Sequence, residues 1–200
     1  MTRQALTAAA LVAVGIALSA CSTTTDTPPV DLTGGQDAFD SPTGSATESA
    51  DDQAAEAALA KMREFYSVQG ELDSDAAIPV ERLAQVAGGP VLEKYTADIL
   101  LRRSKAVTST GAITVVNAQV TDQGVPQDHA GAPIPGAAWV HVVACTDIST
   151  WESRYPDGSS AMLSDRGQYE IATLTVRNAE WPEASGWRVT SQTVDKVAAC

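Results

Sequence analysis

The chain has 200 residues, with 25 Asp and Glu against 13 Lys and Arg, and a formal net charge of -12. That length suits one domain of ordinary size. The acidic balance excludes a nucleic-acid binder that works by phosphate neutralisation, because the one basic cluster is small: Arg102, Arg103 and Lys105.

Residues 1–21 read MTRQALTAAALVAVGIALSAC. One cation, Arg3, precedes an apolar run from Ala5 to Leu18, followed by small residues, which is the layout of a secretory leader. The run falls short of the ~20 apolar residues that a permanent membrane helix needs. Leu18-Ser19-Ala20-Cys21 resembles the lipobox of bacterial lipoproteins. The resemblance implies that residues 1–20 are a signal peptide and that Cys21 is lipidated and becomes the mature N-terminus. Two or more acyl chains anchor stably where one does not. The expected place is therefore the outer face of the bacterial plasma membrane, with the membrane as a partner through the lipid.

Residues 21–52 combine Ser, Thr, Asp, Gly and Pro, with seven acids and no base. The apolar side chains Val30, Leu32 and Phe39 cannot bury enough surface to offset chain entropy, so the composition predicts a disordered acidic linker. An acidic recognition tail with Phe39 as anchor is the alternative. After Asp52 the balance is mild, 18 acids against 12 bases.

A folded domain is predicted over residues 53–200. Asp51 and Asp52 offer an N-cap for an amphipathic helix over 54–68, with Ala55, Leu59, Met62 and Phe65/Tyr66 on one stripe and Gly70 as its stop. Pro79 opens a short helix carrying Val80, Leu83, Val86 and Ala87, which Gly88-Gly89 ends. Pro90 opens a third, in which Val91, Tyr95 and Ile99 with Leu92 and Leu100 form the inward face. Its cationic end, Arg102, Arg103 and Lys105, suits the negative pole of that helix.

From Gly111 the period changes to two. Strands are predicted over 112–121, 137–148, 169–176 and 187–197, with a long Pro/Gly loop at 124–136. The 137–148 segment is apolar on both faces, which predicts a central strand covered on both sides. In the last segment the apolar phase slips between Val189 and Val194, the signature of a bulge. Helices first and antiparallel strands after them give an α+β class.

The segments Cys145-Thr146-Asp147, Asp157-Gly158 and Gly186-Trp187, together with the terminal Cys200, resemble the small NTF2-like (cystatin-like α+β cone) lipoproteins of Actinobacteria and their phages. The resemblance implies helices packed on a curved antiparallel sheet around a cone-shaped pocket, a scaffold that hosts enzymes, ligand binders and dimer interfaces alike.

No G-x-S-x-G, H-E-x-x-H, C-x-x-C, Walker or Rossmann motif occurs. His129 beside Asp128 in the Pro/Gly loop makes a poor metal site. His141 reads as a core histidine, or as a general base in the cone near Asp147 or Tyr95. Trp151, Tyr155 and Trp181 fall in predicted turns, where they cap a core or anchor a partner. No catalytic residue, metal or cofactor is assigned. The expected function is a non-enzymatic binding or interaction module of the cell envelope, as a prophage factor acting against infecting phage or as an accessory to envelope transport. Its partners would be a protein, a small apolar ligand or a second copy, with no nucleic acid. The alternative is an enzyme using the cone, of ketosteroid-isomerase or cyclase type. With Cys21 lipidated, Cys145 and Cys200 are left in an oxidising compartment, where pairing is the default. Adjacent strands of a closed meander would bring them together, and a loop of about 55 residues is worth on the order of 4 kcal/mol. The alternative is a buried free thiol at Cys145.

Overall fold

A computed structural model describes residues 48–200. The expected signal peptide over residues 1–20, the expected lipidation site Cys21 and the expected linker up to residue 47 lie outside the described residues. Within them the chain is α+β: α1 (Ala50–Ser74), a 3-10 segment (Val80–Gln85) and α2 (Gly89–Ser104) precede six strands. These are β1 (Thr108–Thr110), β2 (Thr114–Gly124), β3 (Gly136–Asp147), β4 (Glu152–Arg154), β5 (Tyr169–Trp181) and β6 (Trp187–Val197). A curved antiparallel sheet runs in the order β2-β3-β5-β6, and β1 pairs with β4 in a separate two-stranded sheet.

α1 is longer at both ends than the amphipathic pattern predicts. Its N-cap is Ser49, whose hydroxyl accepts the Asp52 N–H at 3.1 Å, so Asp51 and Asp52 occupy the first turn instead of capping it. Carboxylates there face the positive helix pole. Gly70 does not stop the helix. It sits inside, near the Trp151 ring; a Cβ there would lie 3.7 Å from that ring, an ordinary contact. The glycine costs roughly 1 kcal/mol in helix propensity, which the packing of the helix on the sheet outweighs.

Ala50, Ala54, Ala58, Met62, Phe65, Tyr66 and Leu72 of α1 are buried, small residues first and large ones after. They pack on Ala138, Val140, Val142 and Ala144 of β3 and on Ala172, Leu174 and Val176 of β5 in one core. Alternation sends Trp139, His141, Val143 and Cys145 to the other face of β3. β3 is central, as expected, but the helices cover only one of its faces, and Trp139, His141 and Val143 are half-buried rather than enclosed. Trp151 and Trp181 belong to the interior, at 7% and 4% exposure, and only Tyr155 of the three turn aromatics reaches solvent. Trp181 meets Trp187 edge-on at 5.8 Å and donates its indole N–H to the Pro126 carbonyl.

The cationic end of α2 serves α1 instead of its own helix. Arg103 donates to the carbonyls of Leu72 and Asp75 at the α1 terminus, and Arg102 forms an ion pair with the buried carboxylate of Asp73. α1 has no base in its own last turn, so α2 supplies the charge that its negative pole favours.

The predicted bulge appears as a register shift in which Val176 pairs with Val189 while Thr175 pairs with Ser191. The sheet is open, not closed, and β5 lies between β3 and β6. Cys145 and Cys200 nonetheless lie at disulfide distance, with Cα atoms 5.8 Å apart. The three residues after Val197 reach this point across β5, where Ile171 pairs with both Cys145 and Asp195.

Two outcomes test this packing. Asn178 is fully buried and holds the β5–β6 corner by accepting from Glu180 N–H and donating to the Glu183 carbonyl. A Cβ at Gly186 would sit 2.1 Å from its Oδ1, so Gly186→Ala is expected to cost about 1–3 kcal/mol, read as a lowered urea midpoint. Non-reducing mass spectrometry of the domain is expected to show a Cys145–Cys200 link, and Cys200→Ser to lower the melting temperature of oxidised protein only; two free thiols in oxidised wild type would contradict the pairing.

Candidate functional site

Gly88, Gly89 and Pro90 turn the chain from the 3-10 segment into α2. Gly89 holds φ +53°, a left-handed conformation that glycine adopts at little cost. Just before this turn Ala87 bridges Val189 of β6 in parallel, with Val189 N–H bonded to the Val86 carbonyl and Gly88 N–H to the Val189 carbonyl. Past the turn, α2 and β6 separate. The gap is a cleft of about 390 Å³ lined by Pro90, Val91, Lys94, Tyr95, Gln192 and Val194, among others.

The inner wall of the cleft is a polar relay set in an aromatic cluster. Tyr95 donates to Gln192 Oε1 at 2.6 Å, and Gln192 Nε2 donates to the Tyr66 hydroxyl at 3.0 Å. Phe65 packs edge-on against both tyrosines, each centroid 5.4 Å away. Burial pushes the Tyr95 phenol up to about 12, with Glu170 and Asp98 adding to it, and burial raises Tyr66 further still. Both phenols are therefore neutral hydrogen-bonding groups across the physiological range. Lys94 lies over the Tyr95 ring at 4.6 Å and pairs with Asp98 at 2.7 Å. Glu170 is half-buried, near enough for its charge to raise both phenols, and burial raises its carboxyl above the ordinary range against the pull of Lys196 and Arg166.

The histidine arrangement considered from sequence does not form. His141 points to the outer sheet face, where its ring stacks on Trp139 at 4.6 Å, while Tyr95 lies on the helix-covered side. Asp147 shares the His141 face but is half-buried and turned to its own loop. Hydrogen bonds from Ser149, its backbone N–H at 2.8 Å among them, hold the carboxyl below its ordinary value. Asp128 organises the Pro/Gly loop by accepting the Ala130 and Ala132 N–H groups, both at 2.9 Å. Among the described residues no three His, Cys, Asp or Glu side chains are grouped to hold a metal.

Sequence reasoning missed Tyr66, Gln192 and Glu170. The signal for Gln192 was present in the phase slip after Val189: one extra residue at the bulge moves Gln192 to the inner face opposite Leu174.

The raised carboxyl of Glu170 has a sign that can be measured. The folded state holds its proton more tightly than the unfolded state, so this group's contribution is fullest below the ordinary Glu range. It is lost as pH rises through the raised value. Asp73, raised by burial despite Arg102, acts in the same direction. Glu170→Gln is expected to flatten the loss of melting temperature above pH 4–5 (about the ordinary Glu value) and to stabilise the domain at neutral pH.

No protein-family model matches the chain, and no curated protein matches it. Among solved structures the chain is similar to the intermembrane space region of chloroplast protein ARC6, at 14% identity and a TM-score of 0.47, over 72% of this chain and 97% of that one.

Proposed function

We propose that this chain is a lipid-tethered, extracytoplasmic binding module with an NTF2-like body, and that its ligand seats in the cleft between α2 and β6. The relay carries this reading. Tyr95, Gln192 and Tyr66 satisfy one another, and both phenols are held neutral, so the wall is pre-organised to shape a site and not to move a proton. The lipobox at Cys21 and the disulfide-distance pair Cys145–Cys200 support a compartment outside the cytoplasm. One observation favours the second reading, an enzyme: Glu170, with its raised carboxyl, lies near enough for its charge to raise both phenols. In that case Glu170 would exchange the proton and Tyr95 would polarise the substrate.

The two parts of the proposal are tested separately. Cys21→Ala is expected to release the domain from membranes or to leave the precursor uncut, read by fractionation and intact mass; normal processing with full membrane retention would overturn the anchor. For the cleft, a photo-crosslinking residue in place of Lys94 is expected to form adducts in producing cells. Val194→Trp, at a position 41% exposed, should abolish them without unfolding the domain. Adducts that survive the blocked cleft would overturn the site, whereas turnover that needs the Glu170 carboxylate would establish the enzyme.

A further inference from the structure

We propose that the ligand of this cleft is an extended peptide segment of a protein partner, added to the free edge of β6 as a further strand. The inference rests on the cleft being the binding site and names the class of ligand that fits it.

β6 is an end strand of the sheet. At its start the edge is already used: Val189 spends both its N–H and its carbonyl on Val86 and Gly88, which lie alongside as a short parallel bridge. The chain then turns away at Gly88–Pro90, and the bulge follows at Thr190. From Ser191 to Val197 the pairing with β5 is regular, and no other backbone hydrogen bond reaches these residues among those described. Strand alternation, counted from Val189 through the bulge, turns the backbone N–H and C=O of Gln192, Val194 and Lys196 to that free edge. A row of unpaired groups is a template for another strand, and proteins usually blunt or cover it. The opposite edge is blunted: β2 carries two register shifts, after Val115 and after Val120. The β6 edge is regular over roughly 20 Å, enough for about six peptide residues at 3.3 Å each.

The cleft decides between possible occupants. Side chains of Gln192 and Val194 form its floor, and Pro90, Val91 and Tyr95 of α2 form its far wall. A space of about 390 Å³ bounded by a helix on one side admits a single extended chain with an apolar side chain directed at Val91 and Tyr95. A second folded copy offering its own sheet edge would meet α2 first. The Val86–Gly88 bridge shows that the lane beside β6 accepts an extended backbone, and the proposed peptide continues that lane. Backbone pairing would supply affinity and the alternate side-chain pocket would supply selectivity, as in other strand-addition sites.

The probe is a degenerate synthetic octapeptide library, selected on the disulfide-intact domain and counter-selected on Val194→Trp. Enriched peptides are expected to slow amide exchange at Gln192, Val194 and Lys196 by tenfold or more. N-methylation is expected to weaken binding tenfold or more at every second peptide position and to be tolerated between. The proposal is overturned if no peptide distinguishes wild type from the blocked variant or if N-methylation shows no period of two. Sedimentation showing a dimer that Val194→Trp dissociates would also overturn it, by naming a second copy as the occupant. Failure here with cleft-dependent adducts at position 94 would remove the peptide and leave the binding module; loss of both would remove both.

Discussion

The inward stripe of α1 is the contact on which the remaining arrangement depends. One helix of 25 residues covers the inner face of a four-stranded sheet, and its side chains grow along its length from Ala50, Ala54 and Ala58 to Met62, Phe65 and Leu72. Small residues let the backbone lie close to the sheet at one end, and large ones fill the widening gap at the other. α2 then has only a margin to cover: of its residues Val91 and Ile99 alone are fully buried. Because α1 takes the centre, α2 is displaced toward β6, and the space between them becomes the cleft.

The two helices are also coupled through charge. Arg102 and Arg103 fasten the end of α2 to the end of α1, through Asp73 and the last carbonyls of that helix. Asp73 is nearly fully enclosed, and burial outweighs even an adjacent guanidinium in setting its proton affinity. Such a pair contributes little net stability but fixes an angle. Here it holds one end of α2, while the other end meets β6 through Gly88 and Tyr95, with the cleft opening beside those contacts.

Much of this was legible in the sequence. The period of α1, the inward positions Val91, Tyr95 and Ile99, the change to alternation after Gly111 and the bulge in the last strand all follow from where apolar residues recur. Leu100, expected on the same inward face of α2, is instead 49% exposed, because the helix meets the core along a narrow margin. The misses have physical causes. β1 and β4 are three residues each, centred on Ser109 and Ser153, whose hydroxyls meet in the interior at 2.7 Å; such strands show no apolar alternation. Gly70 reads as a stop, but a single glycine is only a weak breaker, which the long-range packing of α1 overrides. An apolar outer face on β3 reads as a buried one because sequence records that Trp139 and Val143 are apolar, not whether a second layer exists. The alternative of His141 as a base in the cone arises for the same reason: alternation gives two faces but does not say which one the helices choose.

The path of the C-terminal tail gives the domain an uneven mechanical character. With Cys145 and Cys200 joined, the chain from the end of β3 through β4, β5 and β6 is a covalent ring, and α1, α2, β1 and β2 lie outside it. A pull entering from the Ser49 end is carried by α1 and β2, which can peel away one after the other. Force passing along the backbone stops at the ring, because the bridge shorts out the 55-residue separation it spans. A fully stretched molecule is then shorter by roughly 200 Å than its contour allows. The β5–β6 ladder, and with it the strand edge beside the cleft, stays out of the line of load while the rest of the domain yields.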